Sequence, residues 1–207
     1  MSEPNIILDP KLMFILLGNL QEYTKDLIRR IQFVFEDLQE VANFTYAIGF
    51  GELVKKAETE INQVATGVVT ANNTIFNACK DVVNELVNKF APQGAKSDYS
   101  APQFTPVQLK VNPDDQVTIY PQHMRDVFSI FHRETESIGA SYYYVQAEVA
   151  DTKKFWVGTS ADKFRQTFDT KIGHEHVQLN SALINIYVKG NDWIEKTIQF
   201  EKNLPTP

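Results

Sequence analysis

The chain has 207 residues, with 20 Lys and Arg against 26 Asp and Glu, one cysteine, nine glycines and nine prolines, which is ordinary composition for one or two soluble domains. The lone Cys79 excludes an intrachain disulfide scaffold. The net charge of −6 divides into 8 basic and 12 acidic residues in 1–90, 2 and 3 in 91–116, and 10 and 11 in 117–207, so no segment is basic enough to favour a phosphate backbone and nucleic acid is not an expected partner.

Near the start, the apolar run around Ile15-Leu16-Leu17 stops at Gly18-Asn19 and is preceded by Glu3 and Asp9 rather than a basic region. It is too short to span a bilayer and wrongly charged for a signal peptide, so synthesis in the cytoplasm without a signal peptide, and no transmembrane segment, is the expectation. Prolines stand at 4, 10, 92, 102, 106, 113, 121, 205 and 207, leaving 11–91 and 122–204 free of them. An interior proline costs a helix about 3 kcal/mol whereas the first turn tolerates one, so two long helical regions joined by a Pro-containing linker are expected.

In the first region, Met13, Leu17, Leu20, Thr24, Leu27, Ile31, Val34, Leu38 and Val41 follow one another at alternating spacings of 4 and 3, a heptad seam. A break follows at Phe44-Thr45-Tyr46-Ala47-Ile48-Gly49-Phe50-Gly51, where Gly49 and Gly51 can supply positive φ for a turn. The second region repeats the seam 111 residues later as Met124, Phe128, Phe131, Thr135, Ile138, Tyr142, Val145, Val149 and Thr152, with Thr again in fourth place. The same offset pairs Leu53 with Phe164, Ala57 with Phe168, Ile61 with Ile172, Val68 with Leu179, Ala71 with Ala182, Ile75 with Ile186 and Val82 with Trp193, which reads as an internal duplication.

The second break is Phe155-Trp156-Val157-Gly158-Thr159-Ser160, with Gly158 turning the chain and Thr159 and Asp162 spaced as a capping box. Helices over roughly 10–43, 51–90, 119–154 and 160–202 follow. The expected organisation is a first helical hairpin at 1–90, a linker at 91–116 and a second hairpin at 117–207. The fold class is all-α: two long helix-turn-helix hairpins packed antiparallel into an elongated four-helix bundle. At about 3.1 Å per residue the extended linker reaches roughly 80 Å, enough to carry the chain along a bundle about 50 Å long, as that pairing requires.

Residues for chemistry are sparse. His174 and His176 flank Glu175, but two residues apart on a helix they diverge by about 200°, unlike the i, i+4 pair of a zinc helix, and they read as solvent or seam-edge residues. His123 and His132 lack partners at ligand spacing, and Cys79 beside the second-helix seam reads as a small buried hydrophobe. Phosphate-cradle and nucleophile-elbow motifs do not occur. The run Ser141-Tyr142-Tyr143-Tyr144 places Tyr142 on the seam and its neighbours on the flank. No enzyme, cofactor or metal site is expected; the pattern is that of a protein that works by being bound.

The stretch from Phe155 through Trp156, Gly158 and Phe164 resembles the signature of the WXG family, the ESAT-like small proteins of type VII secretion: Trp-x-Gly in the interhelical turn and an aromatic residue in the helix that follows. The resemblance covers 119–202. The first hairpin shares length and layout only, with Thr45 and Ala47 at the Trp and Gly positions and Phe44, Tyr46, Gly49 and Gly51 nearby. The resemblance implies a family dimer fused in tandem, a monomeric pseudo-dimer, secreted by or associated with a type VII system as effector or helper, with a secretion ATPase or a cognate effector as partner. The family's export signal, Tyr-x-x-x-Asp/Glu, has its nearest match at Tyr187-Val188-Lys189-Gly190-Asn191, which ends in Asn. A non-exported helical adaptor or chaperone is therefore the alternative, and a membrane-active helical toxin a third, although the sequence lacks a hydrophobic tongue of some 18 residues.

Overall fold

The computed structural model describes residues 7–45, 49–90, 98–111 and 118–203. A short strand β1 (Ile7–Leu8) precedes helices α1 (Pro10–Asn43) and α2 (Phe50–Phe90); α3 (Pro121–Asp151) then leads through a 3-10 turn (Thr152–Lys154) into strand β2 (Trp156–Val157). α4 (Thr159–Thr167) continues through one π turn (Phe168–Ile172) into α5 (Gly173–Lys202). The fold is an all-α helical bundle, with β1 and β2 as its one antiparallel strand pair among the described residues.

The helix boundaries have local causes. Pro10 and Pro121 occupy first helical positions, where their missing N–H is not needed. Asp9 caps α1: its Oδ1 accepts from the Lys11 and Leu12 amides at 2.9 and 3.2 Å. Gly49 has φ of 80° and its carbonyl accepts from the Leu53 amide at 3.2 Å, opening α2. Gly51, expected to share that turning role, lies inside the first turn of α2 without positive φ. One residue in the left-handed region is enough to start the helix, after which the next glycine simply follows it.

Every position of both heptad seams is buried, none more than 9% exposed. The polar member of each seam is satisfied in the same way: Thr24 Oγ1 donates to the Leu20 carbonyl at 2.9 Å and Thr135 Oγ1 to the Phe131 carbonyl at 3.0 Å. The 111-residue offset also relates the buried faces of α2 and α4–α5, pairing Phe50 with Ala161, Ala57 with Phe168, Ile61 with Ile172, Val68 with Leu179 and Ile75 with Ile186. Near the end the core positions are Val83 and Ile194, one residue beyond the expected Val82 and Trp193, which are half-buried. Leu53 and Ala71 are also only half-buried where Phe164 and Ala182 are buried.

Contacts group the chain into two compact units. Unit 1 holds Met1–Ile28, Thr66–Phe104 and Gly139–Val177; unit 2 holds Arg29–Ala65, Thr105–Ile138 and Gln178–Pro207. In unit 1, Met13, Leu17, Ile75 and Phe76 share a core with Val145, Trp156, Phe168 and Ile172. In unit 2, Phe50 packs on Trp193 with ring centroids 4.7 Å apart, and Gly190 admits the Phe128 ring, which a Cβ there would meet at 2.3 Å.

The described part of the linker, 98–111, has neither helix nor strand, and helix side chains satisfy its backbone instead. In unit 1, Lys80, Gln21 and Asn73 donate to the carbonyls of Tyr99, Ser100 and Pro102 at 2.6, 2.7 and 2.7 Å. In unit 2, Asn62 holds Val107 from both sides, donating to its carbonyl at 2.7 Å and accepting from its amide at 2.9 Å. Gln39 holds Lys110 likewise at 3.0 and 2.8 Å, and Leu109, buried, gives its amide to Glu58 at 2.7 Å and its carbonyl to Lys55. The strap is thereby fixed by side chains that the heptad pattern treats as flank. Asn62→Ala removes both bonds to Val107, and an expected loss of about 1–3 kcal/mol in urea unfolding, with faster hydrogen exchange at the Val107 amide, checks the assignment.

Candidate functional site

The second turn is the most elaborated part of unit 1. β2 pairs with β1 in the register Ile7 to Val157 and Leu8 to Trp156, and the Asp9 amide extends the pairing by donating to the Phe155 carbonyl at 2.9 Å. Asp9 thus caps α1 with its side chain while its backbone holds the turn. Trp156 is buried, its ring 4.9 Å from that of Phe164 and tilted by 45°; Phe164 is buried with it, and Phe155 packs half-buried against the same core. The indole thus packs into a core that it shares with residues of α1, α2 and α3.

Gly158 has φ of 129° and ψ of 172°, a conformation that a Cβ disfavours strongly, and its carbonyl accepts from the Asp162 amide at 3.0 Å. Gly158 is itself the N-cap and no side chain caps α4, so the expected Thr159–Asp162 capping box does not form. Thr159 already lies inside the helix, and the Asp162 carboxylate turns instead to Arg165 at 2.6 Å.

Arg165 was not singled out by any motif, yet it ties the turn together. Its side chain is 11% exposed, and its guanidinium donates to Thr152 Oγ1 at 3.0 Å, the Trp156 carbonyl at 3.1 Å and Asp162. One planar fork therefore joins the 3-10 turn, β2 and α4, a task for which lysine lacks the donors. A single arginine on a helix flank carries no sequence signal that separates this role from an exposed charge.

Beside the turn runs a groove of about 850 Å³ lined by Leu8, Val82, Leu86, Phe90, Trp156 and Val157, with Gly158 to Ala161 along one wall. The ion pair of Glu85 with Lys89, 2.8 Å apart and exposed, stands at its rim, and Lys89 holds the Glu85 carboxyl below the usual range. Phe90 is 76% exposed. The groove is apolar with a charged margin.

The first turn, in unit 2, is built differently. Phe44 is 46% exposed and meets His123 edge-on at 4.9 Å, while Thr45, at the offset position of Trp156, is buried. Tyr46, Ala47 and Ile48 lie outside the described residues. Leu53 and Ala57 stand where the second hairpin has Phe164 and Phe168, and they border a smaller cleft of about 330 Å³ with Gly49 and Ile186.

The remaining sequence candidates separate. His174 is exposed, whereas His176 is buried and stacks on Tyr142 at 4.5 Å; His132 stacks on Tyr187 at 4.5 Å. Among the described residues no group of three His, Cys, Asp or Glu side chains could hold a metal ion. Cys79 is buried, and desolvation pushes its thiol up to about 12, so it stays protonated. Tyr143 and Tyr144 are exposed beside buried Tyr142. Tyr187 to Asn191 lies within α5, where Asn191 donates to the Tyr187 carbonyl at 3.0 Å. Among the described residues, no helix is long and apolar enough to cross a membrane.

No protein-family model matches the chain, and neither the curated proteins nor the solved structures contain a match to it. The site is read from its geometry. Gly158→Ala is expected to cost about 1–3 kcal/mol because of its positive φ. Gly139→Ala, inside α3 with open space around its missing Cβ, is expected to gain about 0.5–1 kcal/mol. Urea unfolding of the two variants beside wild type checks both signs.

Proposed function

We propose that this chain is a non-enzymatic, WXG-like four-helix bundle, two hairpins fused in tandem and paired antiparallel as a monomeric pseudo-dimer, that serves a type VII secretion system as effector or helper. The observation that carries the reading is the second turn: Trp156 and Gly158 join two long helices, the indole is buried on Phe164, and a groove opens beside it. The antiparallel pairing is supported in unit 1 by the β1–β2 register and in unit 2 by contacts that step in opposite senses, Arg30 with Glu134 and Glu40 with His123. The groove is the surface offered to a protein partner, a secretion ATPase or a cognate effector.

One observation favours the second reading, a non-exported adaptor or chaperone of the same architecture. The nearest match to the export signal lies inside α5 and ends in an asparagine whose amide bonds back to its own helix. A membrane-active toxin has weaker support, since it would need an apolar tongue that none of the described helices provides.

The two main readings separate in the native host, by measuring the protein in medium and cell pellet with the type VII ATPase present and deleted. ATPase-dependent appearance in the medium is the expected result, and retention in both strains transfers the assignment to the adaptor. Phe90→Ala tests the groove: because Phe90 is exposed, stability should stay within about 0.5 kcal/mol while export or partner capture falls.

A further inference from the structure

A second feature, independent of the secretion reading, lies in unit 2 where α1 meets α3. The Asp37 carboxylate is half-buried, and its Oδ2 has no hydrogen-bond partner among the described residues. The charged groups acting on it are Glu36 and Glu40 on its own helix and Glu134 and Arg133 on α3. Arg30 pairs with Glu134 at 3.3 Å and His123 Nε2 lies 3.2 Å from Glu40, while Arg133 is the cation that acts on Asp37. Asp37 Oδ2 therefore sits among carboxylates without a donor among the described residues.

The repeat explains how this arose. In unit 1, Asn19 on α1 donates to Glu148 on α3 at 3.2 Å. The 111-residue offset carries Asn19 to Ile130 and brings Glu148 back to Asp37, so the positions of an amide–carboxylate pair in unit 1 hold a hydrocarbon and a carboxylate in unit 2. The contacts of Arg30 with Glu134 and Glu40 with His123 bracket the part of α3 that holds Ile130, as that correspondence requires.

We propose that Asp37, set against Glu36, Glu40 and Glu134 without a donor, makes the α1–α3 contact of unit 2 a pH-sensitive latch that tightens when Asp37 is protonated and loosens when it ionises. Burial, then Glu134, Glu40 and Glu36, pushes the carboxyl from 3.8 up to about 7, with Arg133 opposing. The folded state thus keeps this proton to higher pH than the unfolded chain does. Its contribution to stability is present below the unfolded value and is lost as pH rises through the folded one.

The test uses the full chain. Thermal unfolding between pH 6 and 8 is expected to show a midpoint falling by roughly 3 °C in wild type. The slope should vanish in Asp37→Asn and flatten in Ile130→Gln, whose longer amide can reach the shorter carboxylate. His123→Gln should keep the slope, which separates the latch from titration of the imidazole. A carbon-detected NMR titration of the Asp37 carboxyl reads the group directly, with a midpoint above about pH 6 expected. A midpoint at or below that value, a flat wild-type profile, or a slope that survives in Asp37→Asn overturns the proposal.

Discussion

Burial of two nine-position seams is the interaction from which the rest of the structure follows. Each fully buried Leu, Ile, Val or Phe contributes about 1.5–3 kcal/mol, so each seam is a large part of what opposes the entropy cost of ordering its helix. A single amphipathic hairpin leaves part of that face in water, and only a second hairpin of matching period covers it. Matching periods explain why the buried positions of α2 and α4–α5 recur at one offset. They also explain why a Thr is tolerated twice, since each hydroxyl bonds the carbonyl one turn back and leaves no orphan donor in the core.

Once the seams fix the helices, the flanks decide what happens to the connecting chain. A stretch such as 98–111 cannot lie against helices unless its amides and carbonyls find partners, and α1 and α2 provide them through Gln21, Gln39, Asn62, Asn73 and Lys80. Asparagine and glutamine suit this task because each side chain can give and accept at once, as Asn62 does with Val107. Amides on the outer face of a helix, which look like solvated filler, are here the fixings of a strap.

This distinction also sets what could be read from residues alone. Helix existence, the proline-free spans and both seams were legible because they rest on a period repeated many times, and α1 begins and ends at the expected residues. The Trp156–Gly158 turn was legible because its glycine must adopt a positive φ and its aromatic neighbours cluster. Features resting on single side chains were not: Arg165 looks like any flank arginine, Asp9 like any residue before a proline, and Thr159 with Asp162 matched a capping pattern that Gly158 made unnecessary. Gly51 misled for the same reason, since a glycine permits a positive φ without requiring one.

The two turns show what a repeated framework leaves free to change. Seam positions are held by packing on both sides, so the copies agree there, whereas a turn is packed on one side only and can diverge. At one turn Trp156, Phe164 and Phe168 fill the end of a core that β1 then closes from outside. At the other, Thr45, Leu53 and Ala57 stand at those positions, and Phe44 remains about half exposed against His123. Both turns use a positive-φ glycine, Gly49 and Gly158, but the aromatic bulk, the arginine fork and the larger groove stand at the second. A framework that buries two matching seams thus ends in two unlike turns, one filled by aromatic rings and bordered by a groove, the other closed by smaller side chains.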